Sequence, residues 1–339
     1  MNKHEFREIT IEDIPAMNSL LINRQKVESE TFPFLKNCCL NVEYITNTLQ
    51  ELFADSKIIG VGAFDNNELV GYIIGELGFD AMRGRHAWVP YEGIAIRMDQ
   101  SPELIRNLYA KVSVLWIQQG CFIHYTFIPL GNQVYYEAYQ RLGFAIQQVH
   151  GIMNMNDYRH FENASDVKVR FADKNDSEIM GMMSSIIFSH QNKAPVFELA
   201  LPEVINRIKT GYERMVEDDC TTILIAEKDM KELGFQAYAS VDSTLMTPDN
   251  GVELSIAGTC GSQKGRGVGK RLMNEGYRIM KEKGYDYIIA DWRMTNLTSS
   301  TFWPKCGFKP IAYRMVRYID NNVAWANFDT LSAKLMLNY

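Results

Sequence analysis

Apolar residues fall at every fourth position in one stretch of each half of the chain: Leu104, Leu108, Val112 and Trp116 in the first, Val268, Leu272, Gly276 and Met280 in the second. That spacing lines one face of a helix. Gly120 supplies a stop for the first helix, and Lys281, Lys283 and Gly284 supply one for the second. Each stop is followed by a short β-branched and aromatic run, CFIHYTFI (121–128) and YDYIIADW (285–292), which predicts a buried strand. Upstream of each helix stands a further apolar strand carrying a glutamate, YEGIAI (91–96) and VELSIA (252–257), so Glu92 and Glu253 are expected to be equivalent.

The halves stay in register beyond these runs. Asn132 lies twelve residues past Gly120 and Asn296 twelve past Gly284, and eleven further on come Gly143-Phe144 and Gly307-Phe308. FREITIED (6–13) and VKVRFADKND (167–176) read as a strand and an acidic turn leading into a helix, while 56–77 and 221–241 read as hairpins. The expected fold class is therefore mixed α/β, with two tandem domains over residues 1–158 and 166–339, each a mixed, mostly antiparallel sheet flanked by helices. The polar stretch NDYRHFENASD (156–166) reads as the linker.

Composition narrows the class. At 339 residues, 46% of them apolar, the chain is long enough for two cores. A formal charge of -6 argues against a nucleic-acid partner or an anionic membrane surface, and no run of about eighteen apolar residues or signal-peptide pattern appears. The six cysteines lack CxxC spacing and nearby histidines, which predicts reduced thiols, no metal and a cytoplasmic protein. The 17 methionines read as core filler.

Positive charge is concentrated locally: residues 264–283 hold seven Lys or Arg against two Glu. They begin in GSQKGRGVGKRL (261–272), where glycines let backbone N–H groups approach an anion and a helix starting near Gly267 adds its positive end. The first half has RMDQSPEL (97–104) there, without glycine. An ATP-type G-x-x-x-x-G-K-[ST] loop is ruled out, because Lys264 stands where its first Gly belongs and Arg271 where its Ser or Thr belongs. A dinucleotide G-x-G-x-x-G loop is ruled out by glycines at 265, 267 and 269.

Lys264-Gly265-Arg266-Gly267-Val268-Gly269 resembles the [Q/R]-x-x-G-x-[G/A] loop of the GNAT superfamily of N-acetyltransferases, with Lys264 at the usual Arg or Gln. The resemblance extends from the strand VELSIAGT to NLTSSTFWPKCGF, which stands where the family has N-x-x-A-x-x-x-Y-x-x-x-G-F, and covers most of 167–318; repeat spacing carries it more weakly to 6–155. It implies acetyl-CoA as cosubstrate, its pyrophosphate held by the loop through Lys264–Gly269 with Lys270. It also implies backbone N–H groups of Ala257, Gly258 and Thr259 at the thioester carbonyl, with Gly258 admitting a bulge.

By the same resemblance Glu253 is the general-base candidate, with Val252 and Leu254 able to raise its pKa, and Asn296 and Ser299 hold the pantetheine arm and adenosine side. The family tyrosine that protonates the leaving thiolate is replaced by Trp303, whose indole cannot serve as that acid. Tyr313 on the next strand, solvent, or the amine's own proton are the alternatives. The first half keeps Tyr139 seven residues after Asn132 but lacks the loop, so it is expected to bind no coenzyme A productively and to shape the substrate cleft or a subunit contact, a homodimer included.

The leading expectation is a tandem enzyme of this type, active in its second copy, that acetylates a small-molecule or peptide amine. A noncatalytic acyl-CoA sensor is the alternative from another class, and an acyltransferase for longer chains or a non-amine acceptor is a third.

Overall fold

A computed structural model describes residues 4–35, 41–54, 57–162 and 165–326; Cys38 and Cys39 lie outside the described residues, and Cys121, Cys220, Cys260 and Cys306 are free thiols. The first copy runs β1 (Glu5–Glu8), α1 (Ile14–Thr31), α2 (Val42–Ala54), β2 (Ile58–Asp65), β3 (Glu68–Asp80), β4 (Gly84–Val89), β5 (Ile94–Ile96), α3 (Pro102–Gln118), β6 (Ile123–Pro129), α4 (Gln133–Arg141) and β7 (Ala145–Asn154). The second runs β8 (Lys168–Phe171), α5 (Ser177–Gln191), α6 (Pro202–Met215), β9 (Thr221–Lys228), β10 (Lys231–Ser240), β11 (Gly251–Thr259), α7 (Val268–Glu282), β12 (Tyr287–Arg293), α8 (Ser299–Lys305) and β13 (Lys309–Tyr318). β1 and β8, β2 and β9, and β3 and β10 each begin 163 residues apart, so the repeat read from spacing is a repeat of structure.

The compact units do not coincide with the sequence copies. One consists of the described residues up to Gln147 together with those from Ala312; the other is Gln148–Ile311. The closing strand of each copy is the reason. β7 pairs antiparallel with β12 through Gln148–Asn154, whereas β13 pairs antiparallel with β6 through Ala312–Tyr318.

In the first unit β1, β2 and β3 are antiparallel neighbours, β4 joins β3 antiparallel and β6 parallel, and α3 buries Leu104, Leu108, Val112 and Trp116 in the core. β4 keeps its ladder to β6 only through Val89. A 3₁₀ turn, Tyr91–Gly93, follows, and β5 then pairs with β3 alone. The expected strand at 91–96 thus starts only at Ile94, because Pro90 and the turn interrupt it.

The gap this leaves between β5 and β6 is spanned by side chains of α1. Arg24 donates through Nη1 to the carbonyls of Tyr91 (2.6 Å) and Ile94 (2.5 Å), with its guanidinium 4.4 Å from the Tyr91 ring centre. One turn on, Glu28 accepts the Gly131 N–H at 2.7 Å. Burial raises the Glu28 carboxyl above its ordinary pKa, opposed by Arg24 and by backbone N–H groups of Gly131 and Asn132.

The second unit has the same plan: β8, β9, β10 and β11 are antiparallel in turn, and β11 meets β12 in parallel. α5 and α6 pack Met180, Met183 and Tyr212 against Ile223, Ile225, Phe235 and Ala237. α7 buries Val268, Leu272, Gly276 and Met280, as the fourth-position spacing predicts.

Candidate active site

β11 separates from β12 early. Their parallel ladder covers only Gly251–Glu253 against Tyr287–Ile289, while β11 continues to Thr259 along β10. The register of that second pairing slips opposite Ala237/Tyr238, where Ser255 is the extra residue. The bulge is therefore at Ser255 and not at Gly258. Gly258 is needed for a different reason: a Cβ there would stand 2.9 Å from Phe235 Cε1 and 3.3 Å from Ile186 Cγ2, so its absence lets α5 and β10 close onto the strand.

The parted strands open a cleft of about 910 Å³. Ala257, Gly258, Thr259, Lys264, Gly265, Gly267, Val268, Gly269, Lys270, Asn296, Ser299 and Trp303 all line it. Glu253 and Arg266 are not among its lining residues, and Tyr313 belongs to the other unit, where its ring packs 5.9 Å from that of Tyr136.

At one end the glycine loop forms a cradle. Gly265 (φ +76) and Gly267 (φ +83) take left-handed backbone that a side chain would strain, and no atom lies within 4 Å of a Cβ built on Gly265. Gly267 caps α7, whose first bond runs from Arg271 N to Gly267 O at 2.9 Å. Helix geometry thus leaves the N–H groups of Val268, Gly269 and Lys270 for an outside acceptor. Together with Lys264 and Lys270 they fit a pyrophosphate.

Toward the other end the lining is polar. Asn296 Oδ1 accepts from the N–H of Thr298 (3.1 Å) and Ser299 (3.2 Å) and lies 3.0 Å from His190 Nε2. Two backbone donors fix that atom as the oxygen, so His190 donates through Nε2. Arg293 pairs with Glu198 at 2.6 Å, and Gln148 bonds Asp291. Glu253 stands one residue inside the point where the strands part, half-buried, and its carboxyl is raised above its ordinary pKa by burial and then by the nearby Asp291 carboxylate.

Trp303 is 8% exposed and packs against Phe302 and Phe308 at ring separations of 5.0 and 5.5 Å, while also lining the cleft. His190, Gln148, Asp291 and Arg293 carry no local signal in the sequence, because their partners lie far away along the chain. Among the described residues, no group of three or more His, Cys, Asp or Glu is placed to hold a metal, and no helix is long and apolar enough to cross a membrane.

Glu92 is not the counterpart of Glu253. Glu253 faces Ala239 on β10 and Ile289 on β12; in the first unit the same register positions, Glu76 and Tyr125, flank Trp88. Glu92 falls in the 3₁₀ turn, which carries two more residues than the Ser255 bulge region and so displaces the alignment.

The sheet of the second unit thus parts beside a glycine-built cradle whose shape and charge fit a pyrophosphate. Residues 201–308 match the Acetyltransferase (GNAT) family, and the chain carries a domain of that family. Its fold is shared with a GCN5-related N-acetyltransferase from Sphaerobacter thermophilus (10% identity, 94% of this chain and 96% of that one, TM-score 0.61). It is also shared with a tandem GNAT protein from the clavulanic acid biosynthesis pathway (12%, 93% and 98%, TM-score 0.50). A third structure of this fold is the glucosamine N-acetyltransferase region of a fungal multi-domain GH3 β-N-acetylglucosaminidase (13%, 92% and 38%, TM-score 0.55). At such identities the likeness is one of fold. Comparison with curated proteins gives no match.

Proposed function

We propose that the second unit binds acetyl-CoA along the cleft and transfers its acetyl group directly to an amine of a small molecule or peptide. The observation that carries this reading is the free edge of β11 from Leu254 to Thr259, opened beside the Gly265–Gly269 cradle in one continuous cleft. The cosubstrate supplies an activated thioester. The cradle and Lys264 hold its phosphates, N–H groups of the Ala257–Thr259 stretch face its carbonyl, and Glu253 takes the proton of the attacking amine. A carboxyl raised by burial is suited to that role at neutral pH. The proton taken from the amine balances the one the departing thiolate needs, so this reading requires no tyrosine at Trp303.

The packed indole of Trp303 also favours a noncatalytic acyl-CoA sensor. Titration calorimetry with acetyl-CoA, using Gly267→Glu as control, is the first test. One site per chain that disappears in the variant supports the reading; no binding by the wild type overturns it. With an acceptor found in an amine screen, Glu253→Gln is expected to lower turnover about 100-fold while leaving acetyl-CoA binding unchanged. No acceptor and no effect of the variant would favour the sensor.

A further inference from the structure

The segment that joins the two sequence copies is not an idle spacer. Asn274, in the middle of α7, holds it with both ends of its amide: Oδ1 accepts from Phe161 N (2.9 Å) and from the Tyr158 hydroxyl (2.7 Å), and Nδ2 donates to Phe161 O (3.1 Å). Tyr158 stacks on Tyr277, ring centres 4.3 Å apart and 22° from parallel, and Ser165 N donates to Gly267 O in the cradle at 3.3 Å. With both polar groups of its backbone bound to one side chain, Phe161 has a fixed position before any ligand arrives.

That position is beside the cradle. The Phe161 ring lies 15° from parallel with Phe302, centres 6.2 Å apart, and Lys270 Nζ is 5.5 Å from its centre. Phe302 and Lys270 both line the cleft, and Phe302 Cζ would be 3.6 Å from a Cβ on Gly269. Both phenylalanines are half-buried, so each keeps accessible surface. A pair of aromatic rings with a cation at hand, next to a pyrophosphate cradle, suits a flat base that carries phosphates.

We propose that Phe161 and Phe302, with Lys270, seat the purine of the acyl-CoA, so that the segment between the copies is part of the nucleotide subsite. This inference rests on the acyl-CoA reading of the cleft. It separates the cosubstrate into two parts with different determinants: the pantetheine arm depends on β11 and the cradle, the nucleotide also on Phe161.

The test is calorimetry on the full chain, comparing wild type, Phe161→Ala and Phe161→Leu, the leucine keeping apolar bulk without an aromatic face. Probes are acetyl-CoA, S-acetyl-pantetheine and adenosine 3′,5′-bisphosphate. Both variants are expected to raise the Kd for acetyl-CoA and for the bisphosphate about tenfold and to leave S-acetyl-pantetheine unchanged. Wild-type affinity for acetyl-CoA in the leucine variant would overturn the proposal, as would an equal loss of S-acetyl-pantetheine, which would make Phe161 a support of the whole cleft. If the wild type binds no acetyl-CoA, the acyl-CoA reading fails and this one with it; if it binds and the variants match it, only this one fails.

Discussion

The two units part their sheets at corresponding places and then diverge. In the second, the space beyond Glu253 stays open as a cleft of about 910 Å³. In the first, the space beyond Val89 is bridged by Arg24, which reaches the Tyr91 and Ile94 carbonyls, and by Glu28, which takes the Gly131 N–H. Carried forward by the 163 residues that separate β1 from β8, these positions fall on Ile187 and Gln191 of α5, and both line the open cleft. The glycine loop is thus not the only feature among the described residues that distinguishes the units. Two charged side chains on one helix face bridge, in the first unit, the gap that the same backbone plan leaves open in the second.

The largest expected effect comes from breaking that bridge. Arg24 is 3% exposed and Glu28 fully buried, so Arg24→Ala should cost about 3–5 kcal/mol by stranding a buried carboxylate. A carboxyl raised in the folded state gives its full stability contribution below the unfolded pKa and loses it as pH rises through the folded one. Removing Arg24 raises Glu28 further, so urea midpoints should show a larger loss at pH 7 than at pH 5. Arg24→Ile with Glu28→Gln, which installs the second unit's residues, should cost less than Arg24→Ala because no lone charge remains. If the double variant is as unstable as the single, Arg24 acts by packing and the bridge is not what closes the gap.

A second contrast lies where the long helix meets the sheet. A Cβ at Gly276 of α7 would stand 2.0 Å from Tyr238 Oη on β10, whereas a Cβ at Gly75 of β3 would stand 2.6 Å from Trp116 of α3. Gly75 and Tyr238 are 163 residues apart in matching strands, so the seam is solved with the large residue on the helix in one unit and on the strand in the other. Gly276→Val is expected to lose about 2–3 kcal/mol through overpacking, read from thermal melts. Adding Tyr238→Ala should recover part of that loss, a non-additivity that independent sites would not show.

Most of what the sequence disclosed was punctuation. Gly120, Gly143, Gly284 and Gly307 all adopt positive φ, and Asn132 caps α4 just as Asn296 caps the turn into α8, accepting backbone N–H groups two residues on. That Asn to Gly-Phe spacing therefore marks helix ends in both units, with or without the glycine loop. The loop itself was legible because glycine at 265 and 267 has a backbone reason. Strand partners were not: alternation fixes which face of β7 and β13 is buried but says nothing of which strand lies alongside. Matching Glu92 with Glu253 failed for a related reason, since two residues added in a turn shift a one-dimensional alignment while the ladders to β3 and β6 stay in register. The polar pairs His190–Asn296 and Glu198–Arg293 join segments far apart in the chain and could be found only in space.

The smallest expected effect concerns the opening of each unit, where the copies are most alike. Arg7 grips Asp13 with bonds of 2.9 and 2.7 Å, and Arg170 grips Asp176 with bonds of 2.7 and 2.8 Å; each Asp also accepts a backbone N–H three residues back. The hydrogen bond from each arginine holds its carboxyl below the ordinary pKa, so the stability these groups contribute is present above that ordinary value and lost as pH falls through the lowered one. The difference between them lies at one matched position: Glu227 binds Arg170 through a charge at 2.7 Å, whereas Arg7, 47% exposed, stacks on the ring of Phe64 at 4.0 Å. Solvent screening should limit Asp13→Asn to about 0.5 kcal/mol, and Asp176→Asn should reach about 1 kcal/mol at pH 7, both differences shrinking toward pH 3. Urea midpoints at the two pH values measure this. Equal losses would mean that fixing Arg170 adds nothing, and that the two openings differ in geometry alone.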